Sequence, residues 1–230
     1  KGAGTADFVD IRVSPPQTLT KNINGLELIM ISQAELISDV EDPMALFEDW
    51  INAAKKTEPN DFDAMSLATA TPEGFPSVRM VLLKGLGPEG FVFYTNKESR
   101  KGEQISKNPR AALCFHWKTL RRQIRIEGNL SEVGADLADQ YFATRSRESC
   151  LAAWAAAQSR PMSNRQEFEN LYRENEEKFR GRAIGRPSYW SGFCLSPCMI
   201  EFWLDLPHRM HDRLCFTRDD TGWTSRRLYP

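Results

Sequence analysis

Apolar residues recur along this chain at two spacings, and the change from one to the other organises it. Asp42-Pro43 supplies an N-cap and a first helical residue, and Phe47, Trp50, Ile51 and Ala54 follow on one helical face. That spacing predicts a helix over about 43–56. The apolar runs then shorten and become β-prone: Met65–Ala70, Ser77–Lys84, Phe91–Thr95, Ala111–Trp117 and Gln123–Leu130, separated by turn-rich pieces such as 71–76. Their density predicts an antiparallel sheet or barrel. Helical spacing returns at Leu137, Tyr141 and Phe142 and in the Ala-rich Leu151–Ala157, and Ser163-Asn-Arg-Gln166 reads as a capping box opening a charged helix to about Phe179. These helices are expected to cap the barrel. After a loop over 181–187, Tyr189–Leu195, Cys198–Leu204 and Arg209–Thr217 again read as strands. The fold class expected is mainly β with peripheral helices (α+β), with residues 1–40 a mobile arm and 41–230 a single domain.

Composition narrows the function classes. The 230 residues are 41% hydrophobic, enough for a sizeable core, and 30 Lys plus Arg against 31 Asp plus Glu argue against a general nucleic-acid coat or a polybasic membrane binder. No apolar run approaches the ~18 residues of a membrane span. Five scattered cysteines and a start without a signal pattern make the cytoplasm the expected compartment. No metal is expected, because His208, His211 and Cys215, or Cys194 and Cys198, fit no standard zinc spacing.

Several motifs carry candidate chemistry. Gly85-Leu-Gly-Pro-Glu-Gly90 matches a dinucleotide fingerprint, but a β-prone run follows it where the fingerprint needs a helix, so it reads as a hairpin connection. Between Lys97 and Arg125 stand nine basic residues against two acidic ones, a local balance of +7. A solvated face or a nucleic-acid groove would fit that balance, but placement favours a small anion. Ser99-Arg-Lys-Gly102 sits where a strand gives way to a helix, so Arg100, Lys101 and backbone N–H groups converge on one phosphate. Gln123, Arg125 and Glu127 alternate with Ile124 and Ile126, giving a strand one polar face. Arg79 and Lys84, five apart, would point to opposite faces of a regular strand. Arg209, His211 and Arg213 share parity and in an extended segment would project to one side as an anion or ring clamp.

Taken in order, Val78–Gly85, Phe93–Asn96, Glu98–Gly102, Arg122–Gly128, Glu201–Trp203 and Arg209–Arg213 resemble the pyridoxamine 5'-phosphate oxidase family, from about Asp42 to the C-terminus. The resemblance implies an FMN-binding split β-barrel, a homodimer with the flavin at the subunit interface, and oxidation of pyridoxine or pyridoxamine 5'-phosphate to pyridoxal 5'-phosphate with O2 reduced to H2O2. Motif by motif, Arg79, Met80, Val81, Leu82, Tyr94, Thr95, Arg100, Lys101, Gln123, Gln158, Ser159, Trp203 and Arg213 resemble the family's FMN contacts. Lys84, Tyr141, Arg145 and Ser149 correspond to its substrate-phosphate clamp, and Arg209 and His211 to catalytic groups over the pyridine ring. By spacing alone, Tyr141 and Arg145 also fit an ordinary surface pair on a helix. The chain departs from the family pattern at Ser146, Ser149–Ala152 and His208. A related split-barrel oxidase acting on another small aromatic molecule, or a noncatalytic flavin or pyridoxal-phosphate carrier, are the competing functions.

Overall fold

The structure, a computed structural model, describes residues 36–230 and the backbone of a short antiparallel pair, β1 (Asn22–Ile23) with β2 (Leu26–Glu27). Most of the arm expected over 1–40 therefore lies outside the described residues. Its last part is tied down: Ile37 is buried, its N–H donates to Asp212 Oδ2 at 2.7 Å, and its carbonyl accepts from Arg227 at 2.7 Å.

The first helix, α1 (Pro43–Thr57), starts where its capping chemistry places it, with Asp42 Oδ1 accepting the Met44 N–H at 2.8 Å. Its buried face is Leu46, Phe47, Trp50 and Ala54. Strands β3 (Ala64–Ala70), β4 (Pro76–Leu82), β5 (Gly85–Gly87), β6 (Gly90–Asn96), β7 (Arg110–Trp117), β8 (Arg122–Glu132), β9 (Trp190–Leu204), β10 (Asp212–Asp219) and β11 (Gly222–Arg227) form one antiparallel sheet. Its main path runs β11-β10-β9-β8-β7-β3-β4, with β6 added to β9 and β5 to β6. α2 (Arg100–Lys107) follows β6, while α3 (Ala135–Ala143), α4 (Arg147–Ala155) and α5 (Arg165–Lys178) lie between β8 and β9.

The core is filled from α1 and the sheet's inner face. Phe47 has no exposed surface and meets Phe91 and Phe115 edge-on, with ring centroids 4.9 and 5.3 Å apart. The helices of the second half pack elsewhere, around a smaller cluster of Phe142, Cys150 and Trp190. The glycine-rich segment 85–90 is a hairpin turn: Gly90 has φ +131°, and a Cβ there would fall 1.9 Å from the Leu195 carbonyl oxygen.

Four expectations are corrected. The runs 189–195 and 198–204 form one strand, β9, whose first residues pair with β6 and whose last pair with β10, while β8 follows it along the other edge. Pro197 sits between the two pairings, opposite a register shift at Glu127/Gly128, where its missing N–H is tolerated. The run expected from Arg209 begins as strand only at Asp212, because Pro207–Arg209 form a 3-10 turn in which His208 and Arg209 have φ of 56° and 61°. The parity argument for Arg209, His211 and Arg213 therefore fails, since the backbone is not extended there. The α5 cap is Asn164, whose side chain accepts the Glu167 N–H at 3.1 Å, while Glu167 reaches back to the Ser163 N–H, one residue later than the box read at Ser163. The hairpin partner β11 escaped the periodicity reading because its burial pattern does not alternate.

Candidate active site

One cleft of about 680 Å³ gathers many of the candidate residues. β4 and the loop after it bring Met80, Val81, Leu82 and Lys84; β6 brings Tyr94 and Thr95; α2 brings Lys101. The helical half closes it with Tyr141, Arg145, Ser149 and Gln158. β4 is the edge of the sheet path, and Val78, Met80 and Leu82 on one of its faces are 67%, 61% and 40% exposed.

The cleft floor carries uncompensated positive charge. Ser99 caps α2, so that Arg100 and Lys101 stand in its first turn. Lys101 Nζ donates to Gln158 Oε1 at 2.8 Å and to Ser99 Oγ at 3.3 Å, and Thr95 Oγ1 donates to Gln158 Oε1 at 3.4 Å. Burial, then the neighbouring Arg79, pushes the Lys101 ammonium down to about 8. Arg79 is itself lowered, first by burial and then by Arg100. It lies behind the cleft, donating to Leu67 O, Thr69 Oγ1 and Ser77 Oγ. Among the described residues none of these three cations has a carboxylate partner. Gly102 lets the helix start this close to the strand: a Cβ would fall 2.1 Å from the Lys97 carbonyl oxygen. Ser159, with φ +70°, turns the chain after Gln158.

The opposite wall is aromatic. Tyr94 and Tyr141 stack with centroids 3.9 Å apart and planes 11° apart, and Trp190 lies nearly parallel to Tyr94 at 5.3 Å. Burial raises the Tyr94 phenol, helped by Tyr141, so it remains a neutral hydroxyl. Arg145 sits over Trp190 at 5.0 Å and Phe142 at 5.3 Å, and its buried Nη1 has no hydrogen-bond partner. The surface-pair reading of Tyr141 and Arg145 thus gives way to two side chains turned into a cleft. Ser149 lies in the first turn of α4; Ser146 Oγ caps that helix, accepting the Ser149 N–H and donating to its hydroxyl at 3.0 Å. Lys84 is paired with Asp63 at 2.6 Å, a contact that the sequence did not reveal.

The remaining candidates form a second group. Gln123 pairs with Trp203, and Trp203 with Arg213, across β8, β9 and β10. The Trp203 and His211 rings are 4.7 Å apart. Arg213 is held by the buried Glu201 at 2.7 Å, which also meets Arg125 at 3.4 Å, and Arg209 stands in the strained turn. Trp190 of the cleft and Trp203 of this group begin and nearly end the same strand. At ~3.3 Å per residue they lie roughly 40 Å apart along it.

The chain is similar in sequence and in fold to known proteins. Residues 51–174 match the family described as pyridoxamine 5'-phosphate oxidase. The chain belongs to that family. Residues 190–230 match the C-terminal dimerisation region of pyridoxine 5'-phosphate oxidase. The pyridoxine/pyridoxamine 5'-phosphate oxidase of Sphingopyxis alaskensis is 56% identical over 190 residues, covering 83% of this chain and 88% of that protein. The protein of the same name from Gluconobacter oxydans is 56% identical over 200 residues, covering 87% and 100%. Among solved structures, PhzG from Burkholderia lata 383, in complex with tetrahydrophenazine-1-carboxylic acid, superposes with a TM-score of 0.79 at 28% identity, covering 83% of this chain and 94% of that one. An FMN-binding, pyridoxamine 5'-phosphate oxidase-related protein from Nostoc punctiforme shares the fold, with a TM-score of 0.66 at 19% identity, covering 82% and 98%. The expected split-barrel fold is borne out. Among the described residues no helix is long and apolar enough to cross a membrane, and no cluster of His, Cys, Asp or Glu is placed to hold a metal ion.

Proposed function

We propose that this chain is an FMN-dependent oxidase that converts pyridoxine and pyridoxamine 5'-phosphate to pyridoxal 5'-phosphate, passing the electrons to O2. The observation that carries the reading is the set Arg79, Arg100 and Lys101, three mutually repelling cations without carboxylate partners among the described residues. A phosphate relieves their repulsion, and the N-terminus of α2 adds backbone N–H groups to the same place. The residues present fit FMN: the cations and Thr95 suit its phosphate, while the backbone and side chains of Met80 to Leu82 on the open edge strand suit the flank of a flat ring. The orphaned Nη1 of Arg145, with Lys84 and the hydroxyls of Tyr141 and Ser149, suits a second phosphate, that of the substrate.

The two groups of candidate residues bear on the assembly. Trp190 of the cleft and Trp203 of the second group stand near opposite ends of β9, which favours a flavin site completed by a second chain. In a two-fold dimer the cleft of one protomer would be completed by Gln123, Trp203, Arg209, His211 and Arg213 of its partner, and the exposed apolar row of β4 would be covered. A dimerisation region at 190–230 supports this reading.

FMN would supply the acceptor for a hydride from the substrate's 4'-carbon, with O2 as the final oxidant. The protein's part is orientation and electrostatics. Lys84, Tyr141, Arg145 and Ser149 would hold the substrate phosphate, Arg209 and His211 the pyridine ring, and the stacked Tyr94, Tyr141 and Trp190 would keep that wall rigid and dry. Anaerobic addition of pyridoxine 5'-phosphate to the FMN-loaded protein should bleach the flavin bands, and air should restore them with peroxide formed. Bleaching by tetrahydrophenazine-1-carboxylic acid, the molecule bound in the Burkholderia neighbour, but not by pyridoxine 5'-phosphate would move the assignment to that class of substrate.

A further inference from the structure

The sequence analysis singled out His211 but no residue to orient it. The structure puts Asp205 Oδ1 3.0 Å from His211 Nδ1, and Asp205 Oδ2 accepts from Arg121 Nη2 at 2.5 Å. The Asp205 N–H also donates to the Arg121 carbonyl at 2.9 Å, locking the end of β9 to the turn before β8. Arg121 adopts a left-handed conformation, φ 55°, to present itself there. The three side chains are 42%, 28% and 16% exposed in the order Arg121, Asp205, His211, so the chain of contacts runs inward from the surface. The imidazole edge bearing Nδ1 faces Asp205, its face meets Trp203 at 4.7 Å, and Nε2 has no hydrogen bond among the described residues.

A second group competes for Nδ1. The Leu206 N–H lies 3.2 Å from it and would need an unprotonated nitrogen, whereas a carboxylate needs N–H. The carboxylate is nearer, ionic and fixed by Arg121, so it prevails. The contact also closes the base of the loop 205–211, where His208 and Arg209 both hold left-handed conformations that non-glycine residues adopt only when their surroundings impose them.

We infer that Arg121 and Asp205 form a positioning pair that keeps the proton of His211 on Nδ1 and so leaves Nε2 as a proton acceptor toward the substrate. This rests on the placement of His211 in the oxidase site. When the 4'-carbon of pyridoxine 5'-phosphate gives up its hydride, the C=O bond forms as the O–H bond breaks, and Nε2 takes that proton.

The test combines nitrogen NMR with kinetics on the FMN-loaded protein carrying 15N-labelled histidine. In the parent protein Nδ1 of His211 should show the shift of a protonated ring nitrogen and Nε2 that of an unprotonated one. Asp205→Asn, whose amide can donate to Nδ1, should reverse the two. In the same variant kcat for pyridoxine 5'-phosphate should fall at least tenfold with KM changed less than twofold, and in a His211→Ala background the same substitution should change kcat less than twofold. An unchanged tautomer in Asp205→Asn, or an equal loss of kcat with and without His211, overturns the positioning role. If His211→Ala alone leaves kcat and KM unchanged while the tautomer still reverses, the Asp205–His211 link stands and the placement of His211 in the oxidase site fails instead.

Discussion

Replacing Lys101 by Met should weaken FMN binding by an amount set by one buried, charge-assisted hydrogen bond. The ammonium is held within the protein by Gln158 and Ser99 and crowded by Arg79, which together with burial brings its titration down to about 8. A hydrogen bond between such a cation and a phosphate contributes about 1.5–3 kcal/mol, so the dissociation constant at pH 7 should rise about ten- to hundredfold. The pH dependence is the sharper readout. Below pH 8 the lysine is charged and affinity should be level; above it the free protein loses the charge that the phosphate needs, and the constant should rise about tenfold per pH unit until the lysine of the complex also titrates. Without FMN the fold should respond in the opposite sense. Lys101 is neutral in the folded chain above about 8 but charged in the unfolded chain up to 10.5, so the folded state binds fewer protons and stability rises across that window. Fluorescence titration of the flavin-free protein between pH 6.5 and 9.5 measures the first effect, and urea unfolding the second. The reasoning fails if the Met variant binds FMN within threefold of the parent at pH 7, or if its affinity falls above pH 8 as steeply as the parent's.

Three further outcomes follow from the geometry. Asp63→Asn frees Lys84 from a carboxylate 2.6 Å away and should lower KM for pyridoxine 5'-phosphate several-fold while leaving FMN affinity unchanged; a raised KM would show that Asp63 orients the lysine rather than competing for it. Lys84→Met and His211→Ala each disable a different end of the chain, so co-expression should give mixed dimers with one intact site and restore about a quarter of parental activity, whereas a site within one chain would restore none. Phe47→Ala empties the centre of the aromatic core and should cost about 3–5 kcal/mol, seen as a fall in Tm of about 10 °C, with the flavin spectrum of the surviving folded fraction unchanged.

Much of this protein depends on near neighbours in sequence and was legible there. Asp42-Pro43 starts α1 because a cap and a fixed φ act within one turn, and the alternation of Ile124 and Ile126 with Gln123, Arg125 and Glu127 gives β8 its two faces whatever it pairs with. Pro88 and the β-prone run after Gly90 likewise excluded a dinucleotide loop, and Ser99 before Arg100 and Lys101 marked a capped helix start that carries two cations. The motifs carried the family as well, since their order survives in the chain. What the sequence could not show are the contacts closed over long separations. Lys84 meets Asp63 from 21 residues away and Arg121 meets Asp205 from 84, and no spacing announces either pair. The runs 189–195 and 198–204 read as two strands, and only the change of neighbours from β6 to β10 along one continuous strand shows that they are one. The left-handed turn at His208 and Arg209 was not announced by residue spacing either. Helix caps and alternating faces are written in energies of adjacent residues; the site's charges, orientations and strain depend on which side chains the closed sheet sets a few ångströms apart, and only the tertiary structure decides that.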